Sequence, residues 1–131
     1  MTHIPRWFSG EFIGTFLLVF FGCGSVATSV ALGIPVGLFQ VAIVWGLGLT
    51  AAIFITAKAS GAHLNPAITL AFAFIRDFPK RRIPGYMAAQ FLGAFAAAAM
   101  IYTLFGGGIA KFEEANGIER GKPGSEASAM I

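Results

Sequence analysis

From Phe12 to Ala57 the chain carries no Asp, Glu, Lys or Arg, a run of 46 positions. No water-soluble domain of 131 residues has the interior to hide such a run, because small domains leave much of their surface in water. Composition points the same way: 56% of residues are hydrophobic and 11% charged, against about 25% charged in an ordinary soluble domain. Soluble enzymes, nucleic-acid modules and disordered tails are excluded. What remains is an all-α membrane protein, its backbone polar groups satisfied within helices. The net charge of +3 makes no case for nucleic acid, since the basic residues sit in short connections between apolar runs. The single cysteine, Cys23, excludes a disulfide framework within the chain and reads as a small packing residue.

Turn signals divide the apolar sequence. The first run covers about residues 10–32 and stops at Gly33-Ile34-Pro35; the second covers about 36–57. Each is long enough to cross a hydrocarbon core of about 30 Å. The first is too long for a cleaved signal peptide, has little basic lead-in and precedes further spans. A third run covers about 83–105, and Gly106-Gly107-Gly108 is expected to end it. Residues 1–108 then form one membrane unit. Residues 109–131, where Glu113, Glu114, Glu119 and Glu126 mix with Lys111, Arg120 and Lys122, read as an exposed extracytoplasmic loop or tail.

Between the second and third runs the pattern changes. Lys58 to Leu64 is a loop by composition. Asn65-Pro66 then reads as a helix start, since Asn is a favoured N-cap and Pro suits the first helical position. That helix is expected over about 65–76, roughly 18 Å long. It is too short to span and too apolar for a solvated loop, so it reads as a re-entrant half-helix, tolerated at depth where it is buried or lines a wet cavity. The expected fold is three transmembrane helices plus this half-helix.

The Lys/Arg bias orients the chain. Arg6 precedes the first span; Lys58, Arg76, Lys80, Arg81 and Arg82 lie between the second and third; the first connection has none. The expectation is a multi-pass protein of the cell membrane with a cytoplasmic N-terminus and a half-helix entering from that side.

Several motifs have ordinary readings. Gly22-Cys23-Gly24-Ser25-Val26-Ala27 and Gly46-Leu47-Gly48-Leu49-Thr50-Ala51 match a dinucleotide fingerprint, but no acid follows either before Asp77. Small residues on membrane helices more often let backbones approach, and Gly10 with Gly14, and Ala89-Gly93-Ala97, have the right four-residue spacing. Glu11 is either an interfacial group facing water or a buried acceptor that fastens loop N–H groups; Gln90 poses the same choice. His63 has no second ligand at metal spacing and is expected to hydrogen-bond the backbone, so no metal is expected. Trp45, mid-span, either packs in the core or against lipid, or forms a pore wall with an apolar face and an N–H donor.

The segment Ser60-Gly61-Ala62-His63-Leu64-Asn65-Pro66-Ala67 is the most informative. A half-helix N-terminus at mid-membrane carries about half a positive charge. It repels cations while leaving the Asn65 amide free to donate to a neutral hydroxyl, a device that helical pores use.

With this segment the sequence resembles the major intrinsic protein family, the aquaporins and glycerol facilitators. Asn65-Pro66-Ala67 in its context matches the family's first signature. Glu11-Phe12-Ile13-Gly14-Thr15 resembles its first-helix motif and Gln90-Phe91-Leu92-Gly93-Ala94 its third-helix motif. The resemblance covers about residues 7–120. It implies that the carbonyls of Gly61, Ala62, His63 and Leu64, with Asn65, Pro66 and Ala67, form one pore wall, supported by Glu11 and Gln90. It puts the second-helix filter aromatic on Trp45, a choice similar to glycerol facilitators.

Family members have two such halves in opposite orientation, and only the first is present here: there is no second Asn-Pro-Ala and no filter arginine. The resemblance therefore implies passive conduction of glycerol, small polyols and water, without enzyme activity or cofactor. It also implies a need for a second-half aquaporin-like chain and a higher oligomer. The alternative is a non-conducting truncated fragment or a structural membrane subunit.

Overall fold

The computed structural model describes residues 4–123 and 125. Its elements are α1 (Arg6–Leu32), α2 (Leu38–Ser60), α3 (Pro66–Ile75), a 3-10 turn (Lys80–Arg82) and α4 (Ile83–Ala115). α1, α2 and α4 are long and apolar enough to cross a membrane. The 10 residues of α3 reach about 15 Å, half the hydrocarbon thickness. The chain is an all-α membrane protein with three spanning helices and one half-length helix.

α1 is the middle helix. It packs on α2 along one side and α4 along the other, while α3 leans on α4. Small residues make both seams. A Cβ on Gly10 would stand 2.9 Å from the Ser60 Cβ, and one on Gly14 2.9 Å from the Thr56 hydroxyl. On α4, Gly93 rests on the backbone of α1: a Cβ there would lie 3.2 Å from both the Phe12 carbonyl carbon and the Phe16 nitrogen. Ala89 and Ala97, one turn to either side, are fully buried. Lipid tails are as apolar as Leu, so close backbone approach holds these helices together rather than apolar burial. Large apolar side chains such as Leu38, Phe54, Phe91 and Phe95 accordingly face outward.

α1 and α2 end on left-handed glycines, Gly33 (φ 63°) and Gly61 (φ 87°). α1 begins four residues before the expected start. Pro5 stands extended ahead of it, and its carbonyl accepts the N–H groups of Phe8 and Ser9. α2 starts at Leu38 and continues to Ser60, three residues beyond the expected end, and α3 matches the expected half-helix to within a residue at each end.

α4 departs most. It runs through Gly106-Gly107-Gly108 to Ala115, so the segment expected as loop from residue 109 begins as helix. The triplet remains helical because Gly108 is pressed against Ala31 of α1, where a Cβ would sit 2.7 Å from the Ala31 Cβ. Tertiary contact thereby outweighs the roughly 1 kcal/mol that each glycine costs in a helix. The actual stop is Gly117 (φ 62°): its N–H bonds the Glu114 carbonyl and the N–H of Ile118 bonds that of Glu113, the Schellman pattern. Beyond it Arg120 pairs with Glu113 at 2.7 Å and Lys122 with Glu119. The expected tail residue Glu126 lies outside the described residues.

Candidate functional site

Between α2 and α3 the chain reverses within the fold. Gly61, Ala62 (φ 49°) and Leu64 (φ 52°) are all left-handed. For Ala and Leu this conformation costs on the order of 1 kcal/mol each, and it persists only where surroundings enforce it.

The chief restraint is Glu11 on α1, fully buried. Its Oε1 accepts the N–H of His63 at 2.9 Å, and its Oε2 accepts the N–H of Leu64 at 2.7 Å and the Gln90 amide of α4 at 2.8 Å. Of the two sequence readings of Glu11, the buried acceptor is the observed one. Tyr86, one turn before Gln90, donates its hydroxyl to the Ser60 carbonyl at 2.7 Å. The remaining loop N–H groups are also taken: Gly61 by the Ala57 carbonyl at 2.8 Å and Ala62 by the Ser60 hydroxyl at 3.1 Å.

The carbonyls behave differently. Those of Gly61, Ala62, His63 and Leu64 accept no hydrogen bond from any described residue. The loop is thus saturated as a donor and open as an acceptor. Asn65 then supplies the opposite polarity. Its Oδ1 accepts the Ala67 N–H at 2.7 Å, which caps α3 with Pro66 at the first helical position. That bond fixes the amide so that Nδ2, with two hydrogens, carries no partner among the described residues, and Asn65 is exposed. Gly61 and Asn65 are exposed, so the loop leads from unpaired acceptors to a donor at the positive end of a half-helix.

His63 departs from its expectation. Its ring does not bond the backbone: Nδ1 lies 3.1 Å from the hydroxyl of Thr69, and the ring is enclosed by Phe72, Phe78 and Tyr86 at centroid distances of 4.8–4.9 Å. Aromatic packing from three elements encloses the imidazole, and the residue as a whole is buried. Thr69, fully buried, is the junction beneath the loop: it donates to the Asn65 carbonyl at 3.1 Å and accepts from Gln90 at 3.0 Å. The same hydroxyl is the one that meets His63 Nδ1. Leu64 is buried against Gly14 of α1. Thr69 and Tyr86 were absent from the sequence-derived site. Their only signal is spacing, Thr69 four residues after Asn65 and Tyr86 four before Gln90.

Trp45 is not gathered with the loop. It lies 15 positions before Ser60 on the same unbroken helix, about 22 Å away along the axis. Its ring lies over Gly22 of α1, where any Cβ would strike it, and the residue is 37% exposed. One face packs and the other is open. Among the described residues no cluster of three His, Cys, Asp or Glu could hold a metal.

A capped half-helix whose loop is strapped to two spanning helices defines a class of helical membrane protein. The chain belongs to the major intrinsic protein family, whose pattern matches residues 2–128. It is similar to the glycerol uptake facilitator protein of Pseudomonas aeruginosa, at 46% identity over 92% of this chain and 43% of the relative. It is also similar to the propanediol uptake facilitator of Salmonella typhimurium, at 41% identity over 92% of the chain and 46% of the relative. The Escherichia coli glycerol uptake facilitator protein is 44% identical over 85% and 40%. Among solved structures, the aquaglyceroporin from Plasmodium falciparum superposes with a TM-score of 0.75, at 40% identity over 81% of this chain and 44% of that one. The chain spans less than half the length of the relatives it matches.

Proposed function

We propose that this chain forms one wall of a channel that passes glycerol and similar small polyols, with water as a second permeant. One observation carries the reading: every N–H of the loop from Gly61 to Leu64 is satisfied inside the protein, while four carbonyls and the Asn65 Nδ2 have no partner among the described residues. A polyol exchanges its hydration for those acceptors and that donor. The α3 dipole opposes cations, and Trp45 offers its open face to the carbon backbone of the solute. The glycerol and propanediol facilitators among the relatives support the same solute class.

The opposite wall comes from a second half of the family type, and the complete assembly is a higher oligomer in the cell membrane. The N-terminus and the Arg76–Arg82 connection face the cytoplasm. The unit from residue 1 to 108 holds the pore wall, and the segment from 109 onward lies at the outer side. Within that assembly the chain serves conduction, not catalysis.

Asn65→Ala tests the reading. In an assembly that conducts, it removes the donor and a cap worth about 1 kcal/mol, and glycerol flux should fall sharply at unchanged expression. Unchanged flux would remove Asn65 from the permeation path. Trp45→Phe, in the same assembly, should change the glycerol-to-water permeability ratio several-fold without loss of insertion. A ratio that stays fixed while stability drops would place Trp45 in packing alone.

A further inference from the structure

Where α1 begins, α2 ends and α4 begins, the molecule gathers six cations, Arg6, Lys58, Arg76, Lys80, Arg81 and Arg82, against one exposed acid, Asp77, and the buried Glu11, whose carboxylate is engaged by the loop and Gln90. All six cations are exposed. The ion pairs formed among the described residues lie elsewhere, at Arg120–Glu113 and Lys122–Glu119. Two of the six lie over rings, Arg76 on Phe72 at 5.1 Å and Lys80 on Phe74 at 5.9 Å, and these rings are apolar partners that leave the charge unneutralised. At the same end a groove of about 270 Å³ opens between the first turns of α1 and the last turns of α2. Ile4, Ile13, Ile55 and Ala59 make its apolar walls, and Arg6 stands in its lining. Ile13 is 45% and Ile55 63% exposed.

We infer that this groove is a binding site for one anionic phospholipid, with an acyl chain along Ile13 and Ile55 and the phosphate on Arg6. The occupant has to be apolar along the helices and anionic at their end. A protein covering the groove would have to bring acids to the edge of the hydrocarbon to meet the cations. A phospholipid holds its phosphate at that depth already, with its chain running alongside. The remaining cations supply a field that concentrates anionic headgroups at this end, and Arg6 gives the field a fixed point beside an apolar slot.

The test uses the two tryptophans. Trp45→Phe leaves Trp7 as the only indole, adjacent to Arg6 and stacked on Tyr86 at 5.0 Å. The 131-residue chain is placed in phosphatidylcholine vesicles with brominated phosphatidylglycerol or brominated phosphatidylcholine, and quenching of Trp7 gives their relative binding. Phosphatidylglycerol is expected to be favoured about fivefold, the contribution of one cation near the surface. Arg6→Gln should bring the ratio close to one. Arg6→Lys should retain it, which separates loss of charge from loss of fold. Arg81→Gln, outside the groove, should keep most of it. Equal quenching by the two lipids would overturn the site. So would an Arg81→Gln effect as large as that of Arg6→Gln, the result of a diffuse field. Absence of quenching by either lipid would overturn it as well.

Discussion

The Glu11→Ala protein is expected to be less stable than the wild type by on the order of 3–6 kcal/mol. The carboxylate accepts two backbone N–H groups of the loop and the Gln90 amide, all in a fully buried position. Truncation leaves three donors with nothing to bond, and each buried unsatisfied donor costs about 1–3 kcal/mol. The left-handed residues Ala62 and Leu64 also lose the groups that hold them. Relaxation of the loop recovers part of the sum, so the lower half of the range is the firmer expectation. Glu11→Gln should lie between the two, since its amide oxygen still accepts but its NH₂ meets another donor. The measurement is thermal unfolding followed by circular dichroism in detergent. A midpoint for Glu11→Ala equal to that of the wild type would show that the loop is held by something else.

Reconstituted alone in liposomes, the 131-residue chain should release glycerol no faster than empty vesicles do. The proposed wall is one-sided: Asn65 and Gly61 are exposed among the described residues. A pore between halves of opposite orientation, the arrangement implied by the family resemblance, needs a two-fold axis in the membrane plane. Copies inserted the same way cannot generate that axis. The charge distribution enforces one way: six Lys/Arg lie at one end, while the three at the other end share it with Glu113, Glu114 and Glu119. Adding a family second half should restore efflux. Rapid efflux from the chain alone would instead establish a pore built from copies of mixed orientation.

Much of this architecture is readable from residue order because its determinants are local. The uncharged run sets two spans, Gly33-Ile34-Pro35 separates them, and Asn65-Pro66 starts a helix wherever it occurs. Glu11 and Gln90 are conspicuous as polar residues within apolar runs. The misreadings are those in which a distant residue decides. Gly106-Gly107-Gly108 has the local chemistry of a stop, and only the contact of Gly108 with Ala31, 77 positions away, keeps it helical. His63 has the local chemistry of a loop residue seeking backbone, and its partner is chosen by rings from α3, the following connection and α4. Thr69 and Tyr86 look like unremarkable members of apolar helices until the fold sets them beneath the loop.

The strap formed by Glu11 also has a history in time. Its first backbone partner follows it by 52 residues and its amide partner by 79. At synthesis rates of about 5–20 residues per second, the carboxylate waits roughly 4–16 s before Gln90 exists. For the first two thirds of that interval, until His63 and Leu64 are made, none of the three donors that meet the acid in the fold exists. Its place in the second turn of α1, close to the water boundary, lets it remain hydrated meanwhile. The loop N–H groups meet it first and α4 adds the Gln90 amide, so a helix made long after α1 completes its seating.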